Sequence, residues 1–502
     1  MNKINILYVG WDDWTQKYQV PEYVTIENYI SSSRKTADAH VTVADIVILD
    51  RTIGKFDKRY LQKATRGHCL FATENVELTD EVTAQFYEGK MGQRLYTGDV
   101  QAFLDEEADK YFGYSYGEKF YPKALVVSQF FHGKIRNSGS YNMQLEGNFG
   151  EDFTQIAYWR YNIPVAEDQF IDLFLEYQKK GTVELQLKVV EFYRGSVEDI
   201  RRIWVFEEKD LQDVVTIGGE KESGFVFISI LAKGSGELTI VSLHDRHSRI
   251  DRGYFIPGGE REVTSKREEI FTYFEKGDLK PPLAVYFSGY RTQEGFEGYY
   301  MMRSFGCPFL LFTDPREEGG AFYIGDKEYE KKIVSTIRSK MKELGFSRNE
   351  VVFSGASMGT FGALYYGSDI MPRALLLAKP LTNLGNVAKN ERIVRTDGFG
   401  TSIDLLRKNY GSLDEDAIEE FNQRLWKKFG KADWSGTEFI ISYLYEDDYD
   451  PDGYQDILKH LKSSGVQVYG KGSHGRHVDN SASVMAWFRS QYDNVLQEDF
   501  HR

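Results

Sequence analysis

Ser357 lies in Val351-Val352-Phe353-Ser354-Gly355-Ala356-Ser357-Met358-Gly359-Thr360-Phe361-Gly362-Ala363, an apolar run that closes in Gly-x-Ser-x-Gly and passes at once into small, helix-compatible residues. A strand that turns sharply into a helix at such a serine lifts its hydroxyl above the sheet as a nucleophile. Side chains two residues before and after would collide in that turn, which suits Gly355 and Gly359. A serine at its free pKa attacks poorly, so it needs a base, and the base needs an orienting acid. In strand–turn–helix hydrolases the chain order is serine, acid, histidine, with the histidine in the loop after the last strand. That loop is Gly470-Lys471-Gly472-Ser473-His474-Gly475-Arg476-His477-Val478-Asp479. We prefer His477 as base because it precedes the final helix; His474 is the rival, His460 falls inside a helix, and His501 adjoins the chain end. For the acid, the strand Ile440–Tyr445 runs into Glu446-Asp447-Asp448-Tyr449-Asp450-Pro451. Asp447 is preferred, since Pro451 four residues on opens the next helix, and Glu446 is the alternate acid. This acidic run lacks the glycine and glutamate spacing of a calcium loop, and no Cys/His cluster has zinc spacing, so no metal is expected. The oxyanion hole is expected from Met358 together with Gly289 and Tyr290, in the loop Phe287-Ser288-Gly289-Tyr290-Arg291. Arg291 next to them reads as an anion binder or, more ordinarily, as half of a surface ion pair.

These residues need a parallel sheet to hold them. From about 256 to 502 the pattern alternates strand and helix: Leu283–Phe287, Phe309–Phe312, Val351–Phe353, Ala374–Ala378, Phe439–Leu444 and Val466–Tyr469 are strands, and Tyr329–Leu344 is an amphipathic helix. That order predicts a doubly wound α/β-hydrolase sheet covered on both faces. Residues 385–435 form a helical insertion between two strands, with Leu405, Leu406, Ile418, Phe421 and Leu425 on its packed face, in the place where such folds carry a lid. Residues 1–115 read as a small α/β module, with buried strands at Ile4–Val9, Ala44–Leu49 and Cys69–Ala72. Gly10-Trp11-Asp12-Asp13 after the first strand lacks phosphate-loop spacing, so the module is expected to bind or scaffold. Residues 116–255 alternate as half-buried strands, as in Val183-Glu184-Leu185-Gln186-Leu187-Lys188-Val189, and predict a β-sandwich for carbohydrate binding or interaction. Trp159, Tyr161, Phe192, Tyr193 and Trp204 are its candidates for stacking on sugar rings, against the ordinary reading as core. The turn-rich Arg252–Glu260 marks the boundary that follows.

Composition narrows the partners. A chain of 502 residues needs several cores, and 41% apolar residues can fill them. A net charge of −14 argues against nucleic acid as main partner. No apolar stretch approaches a membrane span and the first apolar run is too short for a signal peptide, so the protein is expected to stay where it is made and not to be integral to a membrane. Cys69 and Cys307 sit in apolar runs and read as buried thiols.

The elbow tail Ser354-Gly355-Ala356-Ser357-Met358-Gly359-Thr360-Phe361-Gly362-Ala363-Leu364-Tyr365-Tyr366 is far more specific than Gly-x-Ser-x-Gly. With Glu446-Asp447-Asp448-Tyr449-Asp450 and Gly475-Arg476-His477, it resembles the α/β-hydrolase-like component of the accessory Sec system of Gram-positive bacteria, the second of its accessory secretory proteins. The likeness extends to the order of the three regions along nearly the whole chain. It implies a cytoplasmic protein, peripheral at the membrane translocase, that works with two sister accessory secretory proteins and the accessory Sec ATPase. It further implies a glycosylated serine-rich-repeat adhesin as cargo and a triad tied to O-acetylation of its N-acetylglucosamine. No bound cofactor is expected; an acetyl donor is required, with acetyl-CoA the candidate. Carried over by motif, the nucleophile falls on Ser357, the base on His477, and the acid, which can be Glu in that family, on Asp447 or beside it. Two other readings stand beside this one: a carbohydrate esterase in which water replaces the sugar, and a non-catalytic scaffold subunit.

Overall fold

The computed structural model describes residues 3–29, 41–395, 398–461 and 465–502. It is a mixed α/β structure with three sheets. The first is parallel throughout, in the order Val24–Asn28, Ile4–Val9, Ile46–Leu49, Leu70–Ala72 and Gln93–Arg94. Alternate residues of its strands serve opposite faces: Ile46 and Ile48 pack with Phe103 and Tyr111, whereas Val47 and Leu49 pack with Leu61 and Phe86 of the helices Lys55–Ala64 and Glu81–Gly89. Burial on both faces is why these strands read as unbroken apolar runs.

The middle region has ten antiparallel strands around one apolar core. Where the sequence predicts a β-sandwich, hydrogen bonding joins all ten strands through the single strand Gly224–His247. Its first half pairs with Glu184–Tyr193 and its second half with Phe170–Gly181. Register shifts at Ala232–Ser235, with Gly234 and Gly236 at φ 88° and 142°, bend it in the middle, so one strand serves both halves. Trp159 is buried in the core and takes no part in a surface, while Tyr161 is exposed. Tyr193 and Trp204 lie under the Arg201 and Arg202 guanidinium groups, and Phe192 stacks on Phe225.

The third sheet runs Glu260–Val263, Glu269–Glu275, Phe309–Thr313, Leu283–Phe287, Val351–Ala356, Ala374–Ala378, Glu438–Leu444, Gln467–Ser473. The first two strands are antiparallel additions and the remaining six are parallel. Val351, Phe353, Leu375 and Leu377 face a core shared with the helices Lys327–Leu344 and Met358–Ile370. Val352, Ala374, Leu376 and Ala378 face the opposite core, closed by Val484, Phe488 and Tyr492 of the last helix, Ser481–Phe500. Three further helices, Leu384–Ile393, Thr401–Tyr410 and Glu415–Phe429, lie between two strands of this sheet and send Leu405, Leu406, Ile418, Phe421 and Leu425 into the same core as the elbow helix. The N-terminal module docks through Lys90, whose ammonium meets Glu275 at 2.6 Å with both side chains sealed from solvent. Cys69 and Cys307 are free and buried. Among the described residues no helix is long and apolar enough to cross a membrane.

Candidate active site

Ser357 stands between the strand Val351–Ala356 and the helix Met358–Ile370 at φ 52°, ψ −121°, a conformation that L-residues seldom adopt and that persists only where the surroundings impose it. The two glycines allow it. A Cβ on Gly355 would sit 2.4 Å from the Gly359 carbonyl oxygen, and one on Gly359 would sit 2.1 Å from the Phe287 carbonyl oxygen. The Ser357 amide donates to the Ala378 carbonyl at 2.8 Å, so the apex is tied to the neighbouring strand.

Ser357 Oγ lies 2.8 Å from His477 Nε2, and His477 Nδ1 lies 2.8 Å from Asp447 Oδ2. These partners fix the tautomer: a proton on Nδ1 donates to the carboxylate, leaving Nε2 to accept from the serine hydroxyl. His477 and Asp447 are both buried. The remaining Asp447 oxygen, Oδ1, accepts the amides of Tyr449 at 2.9 Å and Asp450 at 3.2 Å, so the carboxylate cannot turn away. The structure thus brings together Ser357, His477 and Asp447, each just past the end of one of three strands in the parallel sheet.

The two rivals pair with each other. Glu446 Oε1 lies 2.8 Å from His474 Nδ1, and Glu446 Oε2 accepts the Gly475 amide at 2.6 Å. Both side chains are largely exposed, and that amide, then the imidazole, holds the Glu446 carboxyl below its ordinary range. Asp450 is occupied elsewhere, accepting the Thr382 and Asn383 amides, and burial pushes its carboxyl up. Among the described residues no group of three or more His, Cys, Asp or Glu side chains is placed to hold a metal ion.

One oxyanion assignment is corrected. The Gly289 amide donates to Glu297 Oε2 at 2.6 Å and is not free to receive a developing oxyanion. Glu297 is held there because its own amide donates to Ser288 Oγ at 3.1 Å, folding the loop back on itself. Gly289 serves close approach instead: a Cβ there would lie 3.0 Å from the Ala356 carbonyl oxygen. Met358 heads its helix, so its amide has no carbonyl four residues back to bond, and Tyr290 is the next residue of the loop beside the elbow. Arg291 donates to the Phe296 carbonyl at 3.2 Å and lies over the Tyr116 ring, which makes it a brace rather than half of a carboxylate pair.

A family model described as the accessory Sec system GspB-transporter matches residues 4–502. The chain belongs to that family. Its relatives include an accessory Sec system protein of Streptococcus gordonii, 37% identical over 507 residues that take in 100% of this chain and 99% of the relative. Another, from Staphylococcus aureus (strain NCTC 8325 / PS 47), is 34% identical with 100% of this chain and 98% of the relative covered. Among solved structures, a chain of the Glycosylation Associate Protein (Gap123) complex from Streptococcus agalactiae superposes with a TM-score of 0.86 at 36% identity, covering 100% of this chain and 99% of that one.

In this member of the accessory Sec family, side chains not singled out from sequence complete the setting of the imidazole. Asp448 Oδ1 accepts the His477 amide at 3.0 Å, and Asp448 Oδ2 pairs with Arg395 Nε at 3.1 Å. The Arg395 guanidinium lies 3.9 Å from the centre of the Tyr449 ring, which in turn lies 4.3 Å from the His477 ring. Phe399 of the insertion touches both Tyr449 and Tyr290, with ring centres 5.6 and 5.0 Å away. The acidic run contains Asp448 beside the candidate acids Asp447 and Glu446, but nothing in sequence separates a residue that holds the base's backbone from one that holds its ring.

Proposed function

We propose that this protein is a serine-dependent O-acetyltransferase of the α/β-hydrolase type that acts on N-acetylglucosamine of a glycosylated serine-rich-repeat adhesin while supporting export of that adhesin. The observation that carries the reading is the continuous Ser357–His477–Asp447 hydrogen-bond chain at 2.8 Å per link. Ser357 Oγ attacks the acetyl carbonyl carbon of the donor, with acetyl-CoA the candidate, as its proton passes to His477 Nε2. The amides of Met358 and Tyr290 receive the oxyanion. The imidazolium, stabilised by Asp447, then returns the proton to the departing thiolate and leaves an acetyl ester on Ser357. A sugar hydroxyl attacks that ester, gives its proton to His477, and the same proton restores the serine hydroxyl as the acetylated sugar leaves.

Tyr449, Phe399 and Tyr290 pack in series beside the imidazole; transfer rather than hydrolysis requires that water be kept from the acyl ester until the acceptor arrives. The full-length likeness to a chain of the Gap123 complex supports assembly with two sister accessory proteins. With them and the accessory Sec ATPase we place the chain in the cytoplasm, at the face of the membrane translocase. Mass spectrometry of the adhesin glycan tests the reading: acetyl groups present with wild-type protein and absent with Ser357→Ala support it. Equal acetylation in both sinks it, and release of free acetate with an unmodified glycan turns it into an esterase.

A further inference from the structure

Resting on that reading, we infer that Lys379 is a positioning residue of the triad: its ammonium clamps the main chain of the base loop and thereby sets where His477 stands. Lys379 directly follows the strand Ala374–Ala378, which lies between the strand leading to the serine and the strand leading to the acid. Ala378 pairs in register with Ala356 on one side and Ser442 on the other, so Lys379 comes level with Ser357. Its amide donates to the Ser442 carbonyl at 2.8 Å, as the Ser357 amide donates to Ala378. Both residues then leave the sheet in the left-handed region, Lys379 at φ 56° and Ser357 at φ 52°. A non-glycine residue stays there only when its surroundings over-determine it.

The side chain supplies that constraint. Lys379 Nζ donates to the His477 carbonyl at 2.7 Å, to the Asp479 carbonyl at 3.1 Å and to Ser481 Oγ at 2.7 Å. An ammonium has three donors, and all three are directed at the segment 477–481 that joins the base to the last helix. The side chain is buried, so these bonds form where an unpaired partner is costly. Burial draws the ammonium pKa below the ordinary lysine range, countered by the carboxylates of Asp447 and Asp479. A cation placed at a helix N-terminus runs against the helix dipole, so helix stability alone does not call for it. Asp448 holds the His477 amide and Lys379 holds its carbonyl, so both polar groups of that peptide residue are pinned from different strands.

The test uses full-length protein and two readouts: turnover of p-nitrophenyl acetate with fluorophosphonate labelling of Ser357, and the downfield Nδ1–H proton resonance of His477. Lys379→Met is expected to lower kcat about a hundredfold, the scale of an ångström-sized misplacement, with KM within about twofold. The resonance should shift or broaden, and Lys379→Arg should recover most of the rate. A folded Lys379→Met protein with wild-type kcat overturns the inference, as does one whose kcat falls while the resonance stays in place. If that variant does not fold, Ser481→Ala decides, since it removes an acceptor of the ammonium together with only the long 3.2 Å bond that the hydroxyl donates to the Val478 carbonyl: a drop in kcat with a shifted resonance supports the clamp, and wild-type values overturn it. Wild-type protein that neither labels nor turns over substrate, while Lys379→Met still moves the resonance, refutes the enzymatic reading and leaves the clamp standing.

Discussion

Removing the Ser357 hydroxyl deletes one oxygen at the elbow and leaves the glycine contacts of the turn untouched, so Ser357→Ala should fold normally and lose several orders of magnitude in acyl transfer. Stopped turnover with an unchanged circular dichroism spectrum is the expected result; near-wild-type turnover removes the serine from the chemistry. The histidines separate sharply. His477→Ala should match the serine variant, whereas His474→Ala should cost about tenfold or less, because its imidazole is exposed and bonded to Glu446. Asp447→Asn should lower kcat by about 10⁴, since the amide no longer favours the Nδ1–H tautomer, while Glu446→Gln breaks an exposed pair of small worth. Steady-state kinetics on all four variants checks the set, and the reverse ranking of the acids would move the triad one residue along the chain.

At the scale of elements, the helix Thr401–Tyr410 is fastened to the middle sheet by Asp404, whose Oδ2 accepts the Ser140 amide at 3.0 Å, and to the loop after the strand Phe309–Thr313 by Thr401, whose hydroxyl donates to the Glu318 carbonyl. Burial pushes the Asp404 carboxyl up to about 6 against the pull of the Ser140 amide, and the Glu317 and Glu318 carboxylates add to the rise. A folded-state pKa above the unfolded value means that this contribution is complete below about 4 and is lost as pH rises through about 6. Lowering the pH from 7 to 5 should therefore protect the amides of residues 401–410 against hydrogen exchange by about 1 kcal/mol, a figure reduced for partial solvent screening. Asp404→Asn should abolish the difference; persistence of the same pH dependence in that variant would place its origin elsewhere. The strands of the C-terminal sheet were legible because burial on both faces writes them as apolar runs such as Leu283–Phe287 and Ala374–Ala378. Ser357, His477 and Asp447 were legible because each follows a strand end in a fixed order. The clamp of Lys379, the grip of Asp448 and the occupation of the Gly289 amide by Glu297 were not, since each depends on side chains meeting across register that periodicity does not encode. The continuous ten-stranded sheet escaped for a similar reason: the bend at Gly234 and Gly236 looks like an ordinary turn between two strands.

For the whole molecule, the join between the N-terminal module and the large sheet includes a sealed charge pair, beside the His68 ring at the Phe274 carbonyl, the Lys276–Glu88 pair and the bonds that Arg303 donates to the Lys63 and Thr65 carbonyls. Lys90→Met strands the Glu275 carboxylate in the interior and should destabilise the join by about 3–5 kcal/mol, whereas Lys90→Met with Glu275→Leu should recover most of that loss. Urea midpoints followed at the module should fall in the single variant and return in the double one; equal midpoints in the two would mean that the pair contributes through packing alone. The long middle strand has a consequence for biosynthesis. Gly224–His247 bonds five other strands, the earliest of them Gly117–Phe120, and it is the last strand of its sheet to be made. The first sheet is complete once Arg94 has emerged from the ribosome, but its neighbour must keep its strand edges open until His247 is out, roughly ten seconds later at ordinary translation speeds. During that interval the nascent chain offers unpaired β edges to whatever passes, so a period of exposure to aggregation or chaperone capture falls in mid-synthesis, before the elbow serine has been added to the chain.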